Sequence, residues 1–256
     1  MYNLESKDYR FKLELEEQAA LELQVGLITH NFAAIISDIL YLSRQNELLT
    51  LIDGETIGST KPISKEYLEF SRFKGVYDQI RYLDEKGMEI VRVDYKNGQP
   101  SVVKDDQLQF KGDRYYFKDS IRLKAQEVFV SPLDLNIEKG KIEHPLKPMI
   151  RFGIPVFNTI GQKRGVVLLN YLGNQMLESI KKAAKLSGEN IMLLNSDGYW
   201  LCSPNQQDEW GFMIKDREDK TFPARFPEAW KHISGSQQTQ FHTGNGLFTS
   251  ATIYPF

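Results

Sequence analysis

The sequence of 256 residues contains a single cysteine and has a net charge close to zero. Each of these features excludes a class of protein. Its single cysteine, Cys202, excludes an internal disulfide, which fits the cytosol and equally a periplasmic domain that avoids thiols. The 32 Lys and Arg residues are balanced by 34 Asp and Glu residues. A chain without a net positive field is not expected to bind nucleic acid.

Long hydrophobic runs are also missing. No window reaches 18 uninterrupted apolar residues, so the sequence predicts no transmembrane helix. The N-terminus lacks the apolar core of a signal peptide. The 41% of hydrophobic residues is nevertheless enough to bury a core. We therefore expect a soluble protein or the soluble part of a longer one.

The motifs of the common enzyme classes are absent as well. The sequence has no Gly-x-x-x-x-Gly-Lys-Ser/Thr, no Gly-x-Gly-x-x-Gly and no Gly-x-Ser-x-Gly. The adjacent acids Asp105 and Asp106 follow Lys104 in a polar stretch, which is typical of a solvated turn. The histidines are scattered without metal-ligand spacing, at His30, His144, His232 and His242. We expect no catalysis, no metal and no cofactor.

The first fifty residues predict a long helix. From Leu4 to Leu51 there is no proline, and the only glycine is Gly26. Apolar residues recur in steps of 4 and 3, the spacing of a heptad seam, at Leu21, Val25, Ile28, Phe32, Ile35, Ile39 and Leu42. Either this helix docks on a sheet of its own domain, or its seam forms the spine of a homodimer.

Two modules of similar pattern follow the helix. Asp84-Glu85-Lys86-Gly87 and Asn195-Ser196-Asp197-Gly198 each separate two apolar runs, which predicts two alike hairpins. We interpret the repeat as an internal duplication and predict an α+β fold in three parts: a spine helix (1–52), a first module (53–185) and a second module (186–256). The second module is expected to be truncated at its C-terminal end.

The stretch from Gly112 to Leu172 is the predicted ligand site. Apolar, strand-like runs alternate here with Arg, Tyr, Ser and Asp. An Arg fork matches a carboxylate, tyrosines supply an apolar wall with a hydroxyl, and an Asp can hold an ammonium group. The candidate ligand-binding residues are Tyr116, Arg122, Ser131, Asp134, Arg151 and Tyr171. The alternative is that the tyrosines are core and the charged residues form surface pairs. Arg81 and Arg92 lie in earlier strand-like runs, where each either faces solvent, which is the simpler interpretation for one such residue, or binds an anion inside.

The order of these features resembles a known family. It consists of the long helix, the Asp-x-x-Gly hairpin, Arg114-x-Tyr116-Phe117, Ser131-Pro132 and Pro155-Val156-x-Asn158-x-x-Gly161. The chain looks like the double Cache (double PDC) extracytoplasmic sensors, tandem PAS-like modules of bacterial receptor histidine kinases, GGDEF diguanylate cyclases and chemoreceptors. The resemblance implies a helix beside two antiparallel sheets, membrane-spanning helices outside the sequence, and a ligand in the membrane-distal, first module.

This resemblance leads to a functional hypothesis with an alternative. The domain would sense an organic acid, an amino acid or an amine, as the periplasmic part of an inner-membrane receptor that dimerises through its N-terminal helix. Arg122 and Arg151 would clamp a carboxylate, Tyr116 would wall the site, and Ser131 and Asp134 would orient the ligand. The acid typical of amino-acid binders has no counterpart at 170–172, so simple carboxylates stay equally open. The alternative is an interaction module that docks a periplasmic binding protein and has no small-molecule ligand.

Overall fold

The structure is a computed structural model and describes residues 2–53, 59–138, 140–187 and 190–255. In these ranges the chain forms helices and antiparallel strands, which confirms the α+β prediction. The helices are α1 (Tyr2–Leu42), α2 (Asn46–Ile52), α3 (Lys61–Lys74), α4 (Tyr115–Arg122), α5 (Asn174–Ser187), α6 (Phe222–Arg225) and α7 (Pro227–Ile233). The strands are β1 (Tyr77–Leu83), β2 (Glu89–Lys96), β3 (Gln99–Val102), β4 (Phe129–Val130), β5 (Asp134–Leu135), β6 (Ile137–Glu138), β7 (Lys141–Ile142), β8 (Pro148–Phe157), β9 (Lys163–Leu172), β10 (Leu193–Leu194), β11 (Trp200–Cys202), β12 (Gln238–Thr243) and β13 (Gly246–Ala251).

The chain divides into two compact units. The larger unit comprises Ala34–Gln175, and the smaller unit combines the chain up to Ala33 with the chain from Met176 onward. Helix α1 therefore contributes residues to both units. The division predicted from the sequence, with boundaries at 52/53 and 185/186, stays a prediction.

A seven-stranded antiparallel sheet organises the larger unit. Its strand order is β3-β2-β1-β9-β8-β4, and β5 pairs with the beginning of β8. The central strands β1, β8 and β9 are buried along almost their whole length. Such continuous burial is expected when both faces of a sheet are covered.

One face of this sheet carries the main apolar core. Helix α3 packs on β1 and β2, and its Tyr67 is fully buried. The end of α1 is buried as well, and Asp38 on this helix accepts a 2.6 Å hydrogen bond from the Tyr77 hydroxyl of β1. Pro62 in the first turn of α3 and the left-handed Gly75 directly after its end delimit this helix.

The opposite face of the sheet is covered by the short helix α4. Its buried aromatic side chains pack on the ends of β1 and β9, in a cluster of Leu83, Tyr116, Phe117, Val166 and Leu168. Gly153 of β8 permits this approach, because a Cβ atom at that position would overlap the Ser120 side chain of α4. This close packing of α4 on the sheet frames the candidate site.

The two predicted hairpin turns are present and are built alike. Asp84 Oδ1 accepts two backbone N–H groups in the first turn, and Asn195 Oδ1 accepts two in the second. Gly87 (φ +89°) and Gly198 (φ +82°) end the turns in the left-handed conformation that glycine tolerates best. The repeat predicted from the sequence is therefore real at these turns.

An aromatic core holds the smaller unit together. Trp200 is 1% exposed and packs against Phe222 and Ala229. The start of α1 joins this unit through β12, where Gln240 Nε2 donates to the Glu14 carbonyl oxygen at 2.9 Å. His242 Nε2 also lies 2.9 Å from a Glu14 carboxylate oxygen.

The heptad seam of α1 is not a free surface. Ile28 and Phe32 are buried in the single chain, and so are Ile35, Ile39 and Leu42. The hypothesis that this seam forms the dimer spine is therefore corrected: in its second half the seam is part of the protein's own core. Of its members, Leu21 and Val25 keep partial exposure.

By length and composition alone, the window Asp8–Leu42 of α1 is apolar enough to cross a membrane. Core helices of soluble domains pass the same test. The last turns of α1 pack inside the larger unit, with Ile39 and Leu42 fully buried and Asp38 bonded to Tyr77. This part of the helix is therefore a core element.

Candidate functional site

Buried charged and polar side chains collect on the sheet face beneath α4. Arg81 is 2% exposed and Arg151 is 6% exposed. The strand register explains why the two arginines meet. Arg151 lies opposite Asn170, and Asn170 lies opposite Gln79 of β1. Arg81 is two residues after Gln79 and therefore faces the same side of the sheet. Directly opposed residues of an antiparallel pair share one face, so these side chains converge under one helix.

Arg81 has only part of its hydrogen-bonding capacity used. Its Nη2 donates to Asn170 Oδ1 at 2.6 Å, and its Nη1 lies 3.5 Å from a carboxylate oxygen of the buried Glu89. Among the described residues, its buried Nε has no hydrogen-bond partner. An unpaired donor in a buried guanidinium group is costly and favours an added acceptor.

Arg151 is held more completely. Its Nη1 donates to Asp134 Oδ1 at 2.7 Å, and its Nη2 donates to Asn136 Oδ1 at 3.3 Å. Its backbone N–H donates to Ser131 Oγ at 2.8 Å. Burial lowers the pKa of Arg151, but Asp134 raises it further, so that the pKa lies above its ordinary value. Arg151 is therefore a fixed cation.

Tyr116 is the centre of the cluster. The guanidinium carbons of Arg81, Arg151 and Arg114 lie 5.4, 5.6 and 5.8 Å from the centre of its ring. Burial raises the pKa of the Tyr116 phenol, but the positive charges of Arg81, Lys111 and Arg114 lower it below its ordinary value. The surroundings of this buried ring thus favour a negative charge. We call Arg81, Arg114, Tyr116, Asp134 and Arg151 the Tyr116 cluster.

The solvent side of the Tyr116 cluster is formed by the first residues of α4. Arg114 is exposed, and Tyr115 keeps 41% of its surface while its hydroxyl lies 3.4 Å from Asp134 Oδ2. No side chain caps the N-terminus of α4 at Arg114. Unpaired N–H groups at a helix start attract anions. The exposed edge of the cluster is therefore suited to a ligand carboxylate.

Three of the six predicted site residues belong to the Tyr116 cluster, Ser131 is hydrogen-bonded to it, and two lie apart. Tyr116, Ser131, Asp134 and Arg151 are linked by the contacts above. Arg122 is exposed in the last turn of α4. Tyr171 lies on the other face of the sheet, where its ring contacts Tyr77 edge-on.

Arg81 and its partners were only partly foreseen from the sequence. Facing solvent was the simpler interpretation of Arg81, because half of the positions in a strand usually do, and anion binding inside was the alternative. Glu89 was not singled out, and Asn170 was weighed only as a position that lacks an acid. The available signal was the predicted hairpin: its turn at Asp84–Gly87 brings Arg81 and Glu89 to neighbouring strands.

The described residues contain no group of three or more His, Cys, Asp or Glu side chains that could hold a metal ion. The chemistry of the Tyr116 cluster is that of ion pairing and hydrogen bonding. The cluster holds guanidinium, phenol, amide and carboxylate groups, and no nucleophile among them is paired with a general base.

Comparisons with known proteins place this fold. Residues 28–254 match the family model described as bacterial histidine kinase, sensor domain. A search of curated proteins gave no match. The extracellular domain of the histidine kinase vpHK1S-Z8 is similar in structure, with a TM-score of 0.80 and 20% identity over 94% of this chain and 85% of the other.

Two other solved structures share the fold. A domain of a sensory box/GGDEF family protein from Vibrio parahaemolyticus gives a TM-score of 0.76 and 21% identity, over 94% of this chain and 92% of the other. The ligand-binding domain of the Pseudomonas aeruginosa amino acid chemoreceptor PctC gives 0.62 and 14% identity, over 93% and 91%. All three are receptor sensor domains, so the expected Cache-like architecture is confirmed. With the family model spanning nearly the whole sequence, the chain belongs to the sensor domains of bacterial histidine kinases, which are sensory and not catalytic modules.

Proposed function

We propose that this sensor domain recognises a small molecule through a carboxylate group that binds at the Tyr116 cluster. The observation that carries the proposal is the convergence of three guanidinium groups on one buried phenol ring. Guanidinium groups are the side chains best matched to a carboxylate, and burial strengthens their interaction with it. The site lies in the larger unit, which would be the membrane-distal module of a double Cache sensor.

Each residue of the cluster would have a separate role. Arg114 is exposed and can swing onto a ligand carboxylate at the start of α4, while Arg151 offers a fixed charge beneath it. Tyr116 supplies the wall. Ser131 Oγ accepts a hydrogen bond from the backbone N–H of Arg151 and so keeps this part of β8 in place. Arg122 and Tyr171 have no role in this arrangement.

Asp134 widens the ligand class to amino acids and amines. Its side chain keeps 23% exposure and accepts from both Arg151 and Tyr115. A ligand ammonium group could pair with this carboxylate while the ligand carboxylate takes the guanidinium groups. The chemoreceptor domain PctC was solved with the amino acid GABA. That precedent supports a small-molecule ligand over docking of a periplasmic binding protein.

Strand β1 offers a route from the site to α1. Arg81 reaches the cluster from this strand, and Tyr77 at its start bonds to Asp38 of α1 across the other face of the sheet. If β1 can adopt two positions and the ligand binds one of them more tightly, the ligand shifts the population toward that position. The Tyr77–Asp38 hydrogen bond would then transmit this shift to α1. We place the parent receptor in the inner membrane, with this domain in the periplasm.

A second copy of the chain would pair with the exposed side of α1. Leu23 is 63% exposed and Leu27 is 56% exposed, and with exposed His30 they follow steps of 4 and 3. That is heptad spacing on the side of the helix opposite to the buried seam. The proposed homodimer therefore still pairs through α1, but through the exposed side with Leu23 and Leu27 and not through the buried heptad seam.

A ligand screen tests the proposed function. Thermal unfolding would be followed with a panel of organic acids, amino acids and amines, and hits would be repeated with Arg151→Ala. We expect at least one carboxylate to raise the melting temperature, because binding to the native state stabilises it by mass action. Arg122→Ala is the matched control and should keep the shift. The assignment would be refuted if no carboxylate that stabilises the wild type lost its shift in Arg151→Ala, or if the hits were confined to molecules without a carboxylate.

A further inference from the structure

The smaller unit contains a cleft of about 320 Å³ that the proposed function does not use. This volume lies at the lower end of the range for small-molecule sites. The cleft runs between α5 and the end of β11, and its walls are formed by Lys181, Ala184, Lys185, Asn190, Ile191, Cys202, Ser203, Pro204 and Gln206.

Helix α5 places two positive charges on one wall of the cleft. Lys181, Ala184 and Lys185 are spaced i, i+3 and i+4, so they share one helix face. Like charges at i and i+4 repel one another. An anion between the two ammonium groups would remove this repulsion.

The opposite wall is rigid and polar. Glu209 is 6% exposed, accepts the backbone N–H of Ser203 at 3.0 Å and lies 3.4 Å from Lys181 Nζ. This carboxylate orients Lys181 at the cleft. Lys185 is exposed and forms no ion pair within the described ranges of the chain. One lysine is thus fixed and the other is free to close on a ligand.

We infer that this cleft is a second ligand site, which takes a small monocarboxylate between Lys181 and Lys185. Ser203 lines the cleft opposite the lysines, and its hydroxyl, which accepts the Asn205 N–H, keeps a proton that it can donate to the carboxylate. Ala184, Ile191 and Pro204 offer apolar surface to a short hydrocarbon body. These apolar walls favour a carboxylate with a short chain over inorganic phosphate, which has no apolar part. The site is independent of the Tyr116 cluster.

Nuclear magnetic resonance on the whole chain tests this inference. Backbone amide signals would be followed during titration with propionate, and separately with inorganic phosphate. Propionate should shift the amide signals of Lys181, Cys202 and Ser203 in a saturable way at millimolar concentration. Lys185→Gln and Lys181→Gln should each weaken the affinity at least tenfold, and Lys182→Gln, on an exposed neighbouring position of α5, should not. Because Lys185 is exposed, its variant is expected to fold even if the Glu209 contact makes the other one unstable.

The single cysteine gives a second readout. Burial, with help from Glu209, raises the pKa of the Cys202 thiol to about 11, so we expect a slow reaction with iodoacetamide. Propionate in the cleft should slow this reaction further, and Lys185→Gln should abolish that protection.

Three results would overturn the inference. They are the absence of saturable shifts around Ser203, saturation by phosphate but not by propionate, and equal weakening by Lys182→Gln. Shifts confined to the Tyr116 cluster would likewise overturn it, and they would leave the proposed function of the larger unit intact.

Discussion

A guanidinium group that is buried in a sheet is stable only if its surroundings replace water. Arg81 and Glu89 are both almost fully buried and lie on neighbouring strands, and Asn170 completes part of the hydrogen bonding. Removing one member of a buried ion pair leaves the other charge without compensation, whereas removing both can be nearly neutral. Only the comparison of single and double replacements therefore measures what the pair contributes to stability.

Arg81→Met should lower the free energy of unfolding by about 1.5–3 kcal/mol, because the buried Glu89 then keeps only Arg92, at 3.7 Å, as an ion-pair partner. The double variant Arg81→Met with Glu89→Met should recover part of that loss. Chemical denaturation of the four proteins in the cycle measures the coupling. Arg122→Met is the exposed control and should stay within about 0.5 kcal/mol of the wild type. If Arg81→Met behaved like this control, the buried pair would not be formed.

Tyr116 should report the occupancy of the site through its own titration. Its pKa is lower in the folded than in the unfolded chain. At neutral pH the phenol is protonated in both states and contributes nothing, and its contribution to stability appears as pH rises through the folded pKa. A bound carboxylate would neutralise the guanidinium groups and raise this pKa. Absorbance titration at alkaline pH, with Tyr116→Phe as the reference, checks both shifts. A folded-state titration at or above the ordinary tyrosine pKa would contradict this account.

The positions of Arg122 and Tyr171 outside the Tyr116 cluster have simple geometric explanations. The stretch around Tyr116 was interpreted as strand-like, but it forms helix α4. In a helix, Ser120 at i+4 shares the face of Tyr116, while Arg122 at i+6 points away. Tyr171 follows Asn170 in a strand, so it faces the opposite side of the sheet. Asp134 and Arg151 meet as an ion pair, because charged residues among apolar ones need partners in either interpretation, and their role in ligand binding stays a prediction.

At the level of elements, the packing of α4 on the sheet decides the depth of the site. Gly153 lies directly beneath Ser120, and no larger side chain fits without moving the helix. The turn geometry could be predicted from Asp84–Gly87 and Asn195–Gly198, since those residue types favour such turns. The helix above the sheet could not be predicted from the same local pattern, because its short aromatic run suits a strand equally well.

Gly153→Ala should destabilise the protein by about 1–3 kcal/mol, the cost of overpacking a tight contact. It should also weaken carboxylate binding, because Tyr116 moves with α4. Ser120→Ala in the same chain should restore part of the stability. Gly26→Ala in α1 is the matched control. A Cβ atom at this position would have no other atom within 4 Å, so the substitution should stabilise the helix by about 0.5–1 kcal/mol. Thermal and chemical unfolding measure both. An unchanged Gly153→Ala protein would mean that α4 does not approach the sheet this closely.

At the level of the whole molecule, one long helix serves both units, and its two sides have different roles. The heptad pattern predicted that α1 is a helix with an apolar seam. It could not tell whether the seam meets the chain's own core or a partner, because both bury the same residue types. In the structure the seam from Ile28 to Leu42 is core, while Leu23 and Leu27 face outward.

Leu27→Glu should convert a dimer into a folded monomer, because it places a charge on the exposed side of α1 without touching the core. Ile28→Lys, one position along, should instead reduce stability, because Ile28 is 8% exposed and its replacement buries a charge. Analytical ultracentrifugation gives the mass, and circular dichroism gives the fold. A Leu27→Glu protein that stays dimeric would refute the proposed interface.

Isothermal titration calorimetry tests the central claim most directly. The best carboxylate that loses its thermal shift in Arg151→Ala would be titrated into the wild type, Arg114→Ala and Arg122→Ala at one salt concentration. Both arginines are exposed and lie at opposite ends of α4, so neither change should disturb the fold. Losing one charge-assisted hydrogen bond of about 1.5–3 kcal/mol should weaken binding to Arg114→Ala about 10- to 100-fold and leave Arg122→Ala unchanged. Equal affinities for Arg114→Ala and the wild type, or a loss with Arg122→Ala alone, would contradict a carboxylate site at the Tyr116 cluster.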